Sequence, residues 1–215
     1  MNLLAIYSLL YHHFGPQNWW PAESPFEVIV GAVLTQNTAW ENVQKAIANL
    51  KRAGLLNLDQ ISTIEPATLA HLIRPSGYFN IKAQRLLGVV RWLKAKGGLK
   101  KLARISTKKL REELLKCYGI GPETADSILL YAFNRPVFVV DAYTRRIFYR
   151  YGLISGKEPY EELRKRIEND LVAKIGTNKR LVVGVFNEFH ALLVRLAKTY
   201  CRKKPLCSSC PLAAA

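Results

Sequence analysis

No stretch constrains this chain more than Leu115 to Arg146, LKCYGIGPETADSILLYAFNRPVFVVDAYTRR. A helix ends here, a tight turn Tyr118-Gly119-Ile120-Gly121 follows, and Pro122-Glu123-Thr124-Ala125 re-enters helix. Glycine accepts backbone angles that other residues avoid and lets a second backbone come close. Proline suits a first helical position, where its missing N–H would be unpaired anyway. Behind it, Ala125, Ile128, Leu129 and Ala132 recur at helical spacing. A glycine hairpin opening onto a helix N-terminus can hold one phosphate through backbone N–H groups without reading sequence. It can equally be a plain turn between packed helices. A short apolar run, Val137 to Val140, then ends in Asp141. Asp141 can cap a helix starting at Ala142, or stand as a carboxylate at the mouth of a cleft.

Charge narrows the partners. Lys and Arg number 32 against 16 Asp and Glu, a formal net charge of +16. Such an excess is the footprint of a polyanion partner, nucleic acid being the commonest, with a generally basic soluble protein as the alternative. The 215 residues allow one large domain or two small ones. No apolar run approaches the ~20 residues of a membrane span. The N-terminus, MNLLAIYSLLYHHFG, lacks a basic leader and a small-residue cleavage site. Of four cysteines, Cys201, Cys207 and Cys210 crowd the last fifteen residues and Cys117 lies apart. That pattern points to metal binding more than to disulfides. An intracellular, cytoplasmic protein is expected.

In chain order, residues 2–14 carry a helical stripe, and Gly15-Pro16-Gln17-Asn18 breaks it. Trp19-Trp20-Pro21 follows; two adjacent loop tryptophans are either core plugs or a stacking surface. Ser24-Pro25 opens a helix whose residues Phe26 to Leu34 are apolar nearly all round, hence buried. It runs into the polar cluster Thr35-Gln36-Asn37-Thr38, which needs partners. Trp40 to Lys51 is the next amphipathic helix, and 56–73 reads as a polar turn and a short helix. The segment Arg74 to Ala83 is a second glycine turn, followed by a helix over 82–95. On that helix Leu86, Leu87, Val90 and Leu93 share a face, with Lys82, Arg85 and Arg91 off it. Ser106 starts the helix that feeds the hairpin. Past Tyr143 come basic helices, over Glu161 to Leu171 and Val182 to Lys198. His190 lies among apolar residues and has no second metal ligand at suitable spacing. With one strand-like run only, the fold class is all-α.

The hairpin with Val-Val-Asp-Ala-Tyr-Thr-Arg-Arg at this spacing resembles the helix-hairpin-helix plus Gly/Pro-Asp signature of the DNA glycosylase superfamily that includes endonuclease III. The resemblance implies a two-lobed fold with a DNA groove between the lobes. Residues 21–134 would make a helical barrel with the helix-hairpin-helix at 115–130, and 1–20 plus 135–215 a second lobe. It implies double-stranded DNA with a damaged base as partner, bound by a monomer. The hairpin residues Gly119, Ile120, Gly121 and Thr124 would grip a phosphate. Asp141 would be the catalytic aspartate beside the flipped nucleotide. Gln36 would reach into the gap, and Tyr78 would wedge into the base stack, a task that suits a flat aromatic.

Members that cut the strand use a lysine two residues after the second hairpin glycine; here that position is Glu123, which cannot form an imine. A monofunctional enzyme is therefore expected, with Asp141 stabilising the sugar cation or orienting a water. Trp-Trp-Pro, the Phe26–Thr38 segment, Arg-Pro-Ser-Gly-Tyr and Tyr-Gly-Ile-Gly-Pro-Glu-Thr-Ala-Asp-Ser-Ile-Leu together resemble the third type of bacterial 3-methyladenine DNA glycosylase. That implies an aromatic pocket for an alkylated purine, with Trp19, Trp20 and Trp40 as candidates. A cationic purine stacks well on indole. The tail Cys201-x5-Cys207-x2-Cys210 resembles the iron–sulfur loop of endonuclease III, which has four cysteines. It implies a structural [4Fe-4S] cluster on an incomplete ligand set, not required for catalysis; the alternative is a loop of free thiols. Two further readings stay open: an endonuclease III-like pyrimidine or mismatch glycosylase, and a non-catalytic DNA-binding module.

Overall fold

The computed structural model describes residues 2–213, and its elements are helices joined by turns, with no strand among the described residues. Two compact units emerge: one from residues 1–21 and 134–215, the other from 22–133.

The continuous unit holds α2 (Pro25–Leu34), α3 (Trp40–Arg52), α4 (Leu58–Thr63), α5 (Pro66–Leu72), α6 (Phe79–Ala95), α7 (Gly98–Leu102), α8 (Thr107–Leu115) and α9 (Pro122–Ser127). Helix α2 is its axis. Ser24 caps it by accepting from the Glu27 N–H at 3.1 Å, with Pro25 at the first position. Phe26 to Leu34 are all buried, as their all-round apolarity requires. Each such large side chain contributes ~1.5–3 kcal/mol by leaving water. Helices α2, α4 and α5 pack on α6, and α3 packs on α2 and α5. Helix α9 continues as a wider π-type turn over Ile128–Ala132, all five residues buried, packed against α2.

Two boundaries differ from the sequence expectation. The stretch 56–73 forms two helices, because Pro66 restarts the chain after extended Ile64 and Glu65. Helix α6 begins at Phe79, not at Lys82, so Lys82 lies in its first turn. Lys82 is 1% exposed, not off the buried face.

The discontinuous unit holds α1 (Leu3–Phe14), α10 (Ala142–Arg150), α11 (Tyr160–Ile175) and α12 (Lys179–Thr199). Helix α12 is its centre, packing on α1, α10 and α11. Phe138 anchors the core, with ring centroids 5.6 Å from Phe186 and 5.9 Å from Phe189. The strand-like run Val137 to Val140 is an extended segment with no partner strand. Its N–H groups bond to α11 side chains instead: Phe138 donates to Glu168 Oε1 at 2.8 Å and Val140 to the Tyr160 hydroxyl at 3.4 Å. Arg164 holds Glu168 in turn at 2.6 Å. Buried N–H groups must be paired, and here a helix does a sheet's work.

Candidate active site and DNA-contacting elements

In the continuous unit, α8 ends at Leu115 and the hairpin closes through Cys117 N–H to Leu114 O at 3.0 Å and Ile120 N–H to Cys117 O at 3.1 Å. Gly119 has φ +74, and a Cβ there would run into the Arg85 side chain. Glycine is required on both counts. Ile120 is buried and Gly121 leads into α9. Glu123 stands exposed in the first turn of α9.

Thr124 is buried and its hydroxyl accepts from Gln36 Nε2 at 3.0 Å, while the same Nε2 donates to Gly119 O at 3.0 Å. Gln36 Oε1 accepts from Arg85 Nη1 at 2.6 Å. The Gln36 amide is thus engaged at both ends inside the protein, on the hairpin itself. It holds the hairpin, in part through a bond that the Thr124 hydroxyl accepts. Sequence reasoning left Arg85 out of the site, although its place one turn after Lys82 was visible.

Tyr78 caps α6 from the left-handed region, φ +46, and is 72% exposed. It does not pack on a neighbouring helix. An exposed aromatic on strained backbone is the kind of residue kept for a contact. Tyr118, at the hairpin, is 62% exposed as well and was not singled out. Trp40, half-buried, is the first residue of α3.

In the discontinuous unit, Asp141 is the helix cap its sequence allowed. Its Oδ1 caps α10, accepting from the Thr144 N–H at 2.7 Å, and its Oδ2 lies 3.6 Å from His190 Nε2 on α12. That second separation is an ion-pair rather than a hydrogen-bond distance. Burial pushes the Asp141 carboxyl up, but the His190 imidazole and the Thr144 N–H outweigh it, leaving the pKa below the usual carboxylate value. The group is a buried anion at neutral pH. His190 is 5% exposed; sequence reading saw a core or cleft histidine and not that it faces Asp141.

Trp19 and Trp20 are both half-buried, joined by a cis peptide, with ring centroids 5.4 Å apart and planes tilted by 59°. Their loop is tied to α12 by Gln17, whose N–H donates to Glu188 Oε1 at 2.7 Å. One helix therefore positions both the tryptophan loop, through Glu188, and the surroundings of Asp141, through His190.

The α10 arginines are engaged within the protein. Arg145 donates to Glu158 O at 2.9 Å, Arg146 to Cys201 O at 2.8 Å, and Arg150 to Arg202 O at 2.5 Å. Arg146 and Arg150 anchor the tail, where Cys201, Cys207 and Cys210 line one apolar hollow of about 150 Å³. The donors are soft thiols, the right kind for a cluster. Yet among the described residues no three His, Cys, Asp or Glu converge to hold a metal ion, so the tail as folded does not form a closed metal site. Cys117 belongs to the other unit, its thiol pushed up to about 11 by burial and the Glu113 charge.

Residues 30–171 match the family model of the HhH-GPD superfamily base excision DNA repair proteins. A Methanocaldococcus jannaschii protein named as a candidate DNA repair glycosylase is 46% identical, covering 98% of this chain and 93% of its own length. Endonuclease III of Thermotoga maritima is 30% identical over 86% of this chain and 79% of its own. Among solved structures, the H. pylori 3-methyladenine DNA glycosylase bound to 1,N6-ethenoadenine superposes with a TM-score of 0.77 at 34% identity, covering 92% of this chain and 98% of that one. An endonuclease III–DNA complex shares the fold, with a TM-score of 0.79 at 21% identity over 100% of this chain and 94% of that one. The hairpin closed over Gly119, the ionised Asp141 capping α10, and these likenesses along nearly the whole chain agree: the protein belongs to the HhH-GPD superfamily of base excision DNA repair proteins and is a DNA glycosylase.

Proposed function

We propose that the protein excises alkylated purines, 3-methyladenine among them, from double-stranded DNA, as a monomer and without cutting the strand. The observation that carries this reading is Asp141, a buried anion held by a backbone N–H and facing an imidazole. A fixed carboxylate suits the oxocarbenium-like sugar that forms as the base departs. The C1′–N bond breaks, its electron pair leaves with the base, and a water oxygen bonds C1′ while its proton passes to Asp141 or solvent. On a cationic purine that electron pair neutralises the ring, so the base needs no acid. Extrusion of the base precedes chemistry. The Trp19–Trp20 pair supports an aromatic base pocket, as does the likeness to a glycosylase solved with an ethenoadenine. Trp40 is held as a weaker pocket candidate. Gly119, Ile120 and Gly121 meet a phosphate, with Thr124 and Gln36 shaping the hairpin, and Tyr78 enters the stack opposite the gap.

Base release from methylated DNA, run beside duplexes with uracil, thymine glycol and G:T pairs, tests the substrate class. Methylated purines should be released fastest. Preferential release of a pyrimidine lesion would favour the endonuclease III-like reading, which the 30% identity to the T. maritima enzyme supports.

Product DNA should stay intact until hot alkali, because Glu123 replaces the lyase lysine. A protein–DNA adduct trapped with borohydride would overturn this and point to another amine.

The tail is proposed to gather Cys201, Cys207 and Cys210, an incomplete ligand set, around a structural iron–sulfur cluster, which requires the loop to close further than it does as folded. Anaerobically purified protein should then be brown and carry roughly four irons. Iron-free protein that stays folded and active would leave the three cysteines as free thiols.

A further inference from the structure

We propose that Lys82 and Arg85, one turn apart on α6, are positioning residues that hold the Gln36 turn, the Tyr78 turn and the hairpin as one preformed DNA-contacting surface. The inference rests on the DNA contacts proposed above for those three segments. Lys82 Nζ donates to Leu34 O at 2.8 Å and to Ser76 O at 2.6 Å. Leu34 ends α2 two residues before Gln36, and Ser76 lies two before Tyr78. A helix-ending carbonyl has no partner within its own helix, and one ammonium with three donors can serve two such groups. The two turns are far apart in sequence, and Lys82 joins them.

Arg85 reaches the third segment twice. Its side chain fills the space over Gly119, and its Nη1 bonds Gln36, whose amide bonds Gly119 O and Thr124 Oγ1. The chain of contacts therefore runs from Tyr78 through Lys82 to the 34–36 turn, and from there through Gln36 and Arg85 to the hairpin.

Lys82 is a poor choice for stability alone. Burying an ammonium is unfavourable, and burial, followed by the nearby Arg85 charge, lowers its pKa to about 8. A methionine would fill the same space without that penalty. The charged donor is explained by what it joins. Turns that are already ordered lose less freedom when DNA arrives.

The test uses Lys82→Met and Arg85→Met in the full chain, read by amide hydrogen exchange and by binding to two duplexes, one undamaged and one with a tetrahydrofuran abasic-site analogue. Exchange reports local opening independently of activity. Lys82→Met should speed exchange at Thr38, Ser76 and Gly77, whose N–H groups bond within those two turns, while Arg85→Met should speed Ile120. Each variant should weaken binding of the analogue duplex roughly two- to tenfold, the ordering of one or two side chains. The thermal midpoint of Lys82→Met should fall modestly, since the Leu34 and Ser76 carbonyls lose their donor. Arg85 is half-exposed and supplies the second arm if Lys82→Met fails to fold. Unchanged exchange at all four amides overturns the brace. Faster exchange with unchanged binding of the analogue duplex overturns instead the DNA contacts proposed for these turns.

Discussion

Asp141→Asn should lower the rate of base release about 100- to 1,000-fold while leaving the fold and DNA binding in place. The substitution is clean because asparagine caps helices as well as aspartate does, so the bond from Thr144 to the side chain at position 141 survives. What disappears is the negative charge beside the sugar as positive charge develops on it. DNA binding should not weaken, since removing an anion near phosphates relieves repulsion. The measurement is single-turnover release of 3-methyladenine with DNA saturating. Near-normal turnover by Asp141→Asn would remove the carboxylate from the chemistry and leave it a helix cap only.

The same residue sets an acid limit. Its folded pKa lies below the ordinary value of 3.8. A carboxyl depressed on folding stabilises the protein fully above its unfolded pKa, and that contribution is lost as pH falls through the folded value. Wild type should lose stability below about pH 4 more steeply than Asp141→Asn, in acid unfolding followed by circular dichroism.

Replacing one of the paired tryptophans should lower 3-methyladenine release by one aromatic contact, ~1–3 kcal/mol or about 5- to 150-fold. With the two rings tilted by 59°, at most one can lie flat on a flipped base. Trp19→Ala and Trp20→Ala should therefore behave differently: one impairs release with little change in thermal midpoint, the other lowers the midpoint as its packing is lost. Undamaged DNA should bind almost unchanged, because that affinity comes from phosphate contacts. If both variants are destabilised alike and selectivity between methylated purines and pyrimidine lesions is untouched, the tryptophans are core and the pyrimidine reading moves ahead.

Much of the fold was legible because its signals are local. Ser24-Pro25 and Ser106 mark helix starts, and both serines cap as their neighbours demanded. The all-apolar run after Pro25 announced a buried helix, and Gly119 announced a backbone angle and a close approach that the structure requires. Asp141 before Ala142 announced a cap.

What stayed hidden is where polar groups find partners when those partners are far away in sequence. Lys82 fell off the apolar stripe of α6 and looked like a surface lysine; two carbonyls, one of them 48 residues away, draw it inside. The region past Tyr143 read only as basic helix, yet the tail carbonyls some 50 residues on engage Arg146 and Arg150. Val137 to Val140 looked like a strand, but α11 supplied acceptors 20 and 30 residues downstream, and no second strand was needed. His190 carried no motif at all until α12 brought it to Asp141. Caps, turns and apolar stripes are decided within a few residues by backbone geometry and periodicity, so the sequence alone determined them. A buried ion or N–H is decided by whichever acceptor the packing delivers, and only the tertiary structure settles that.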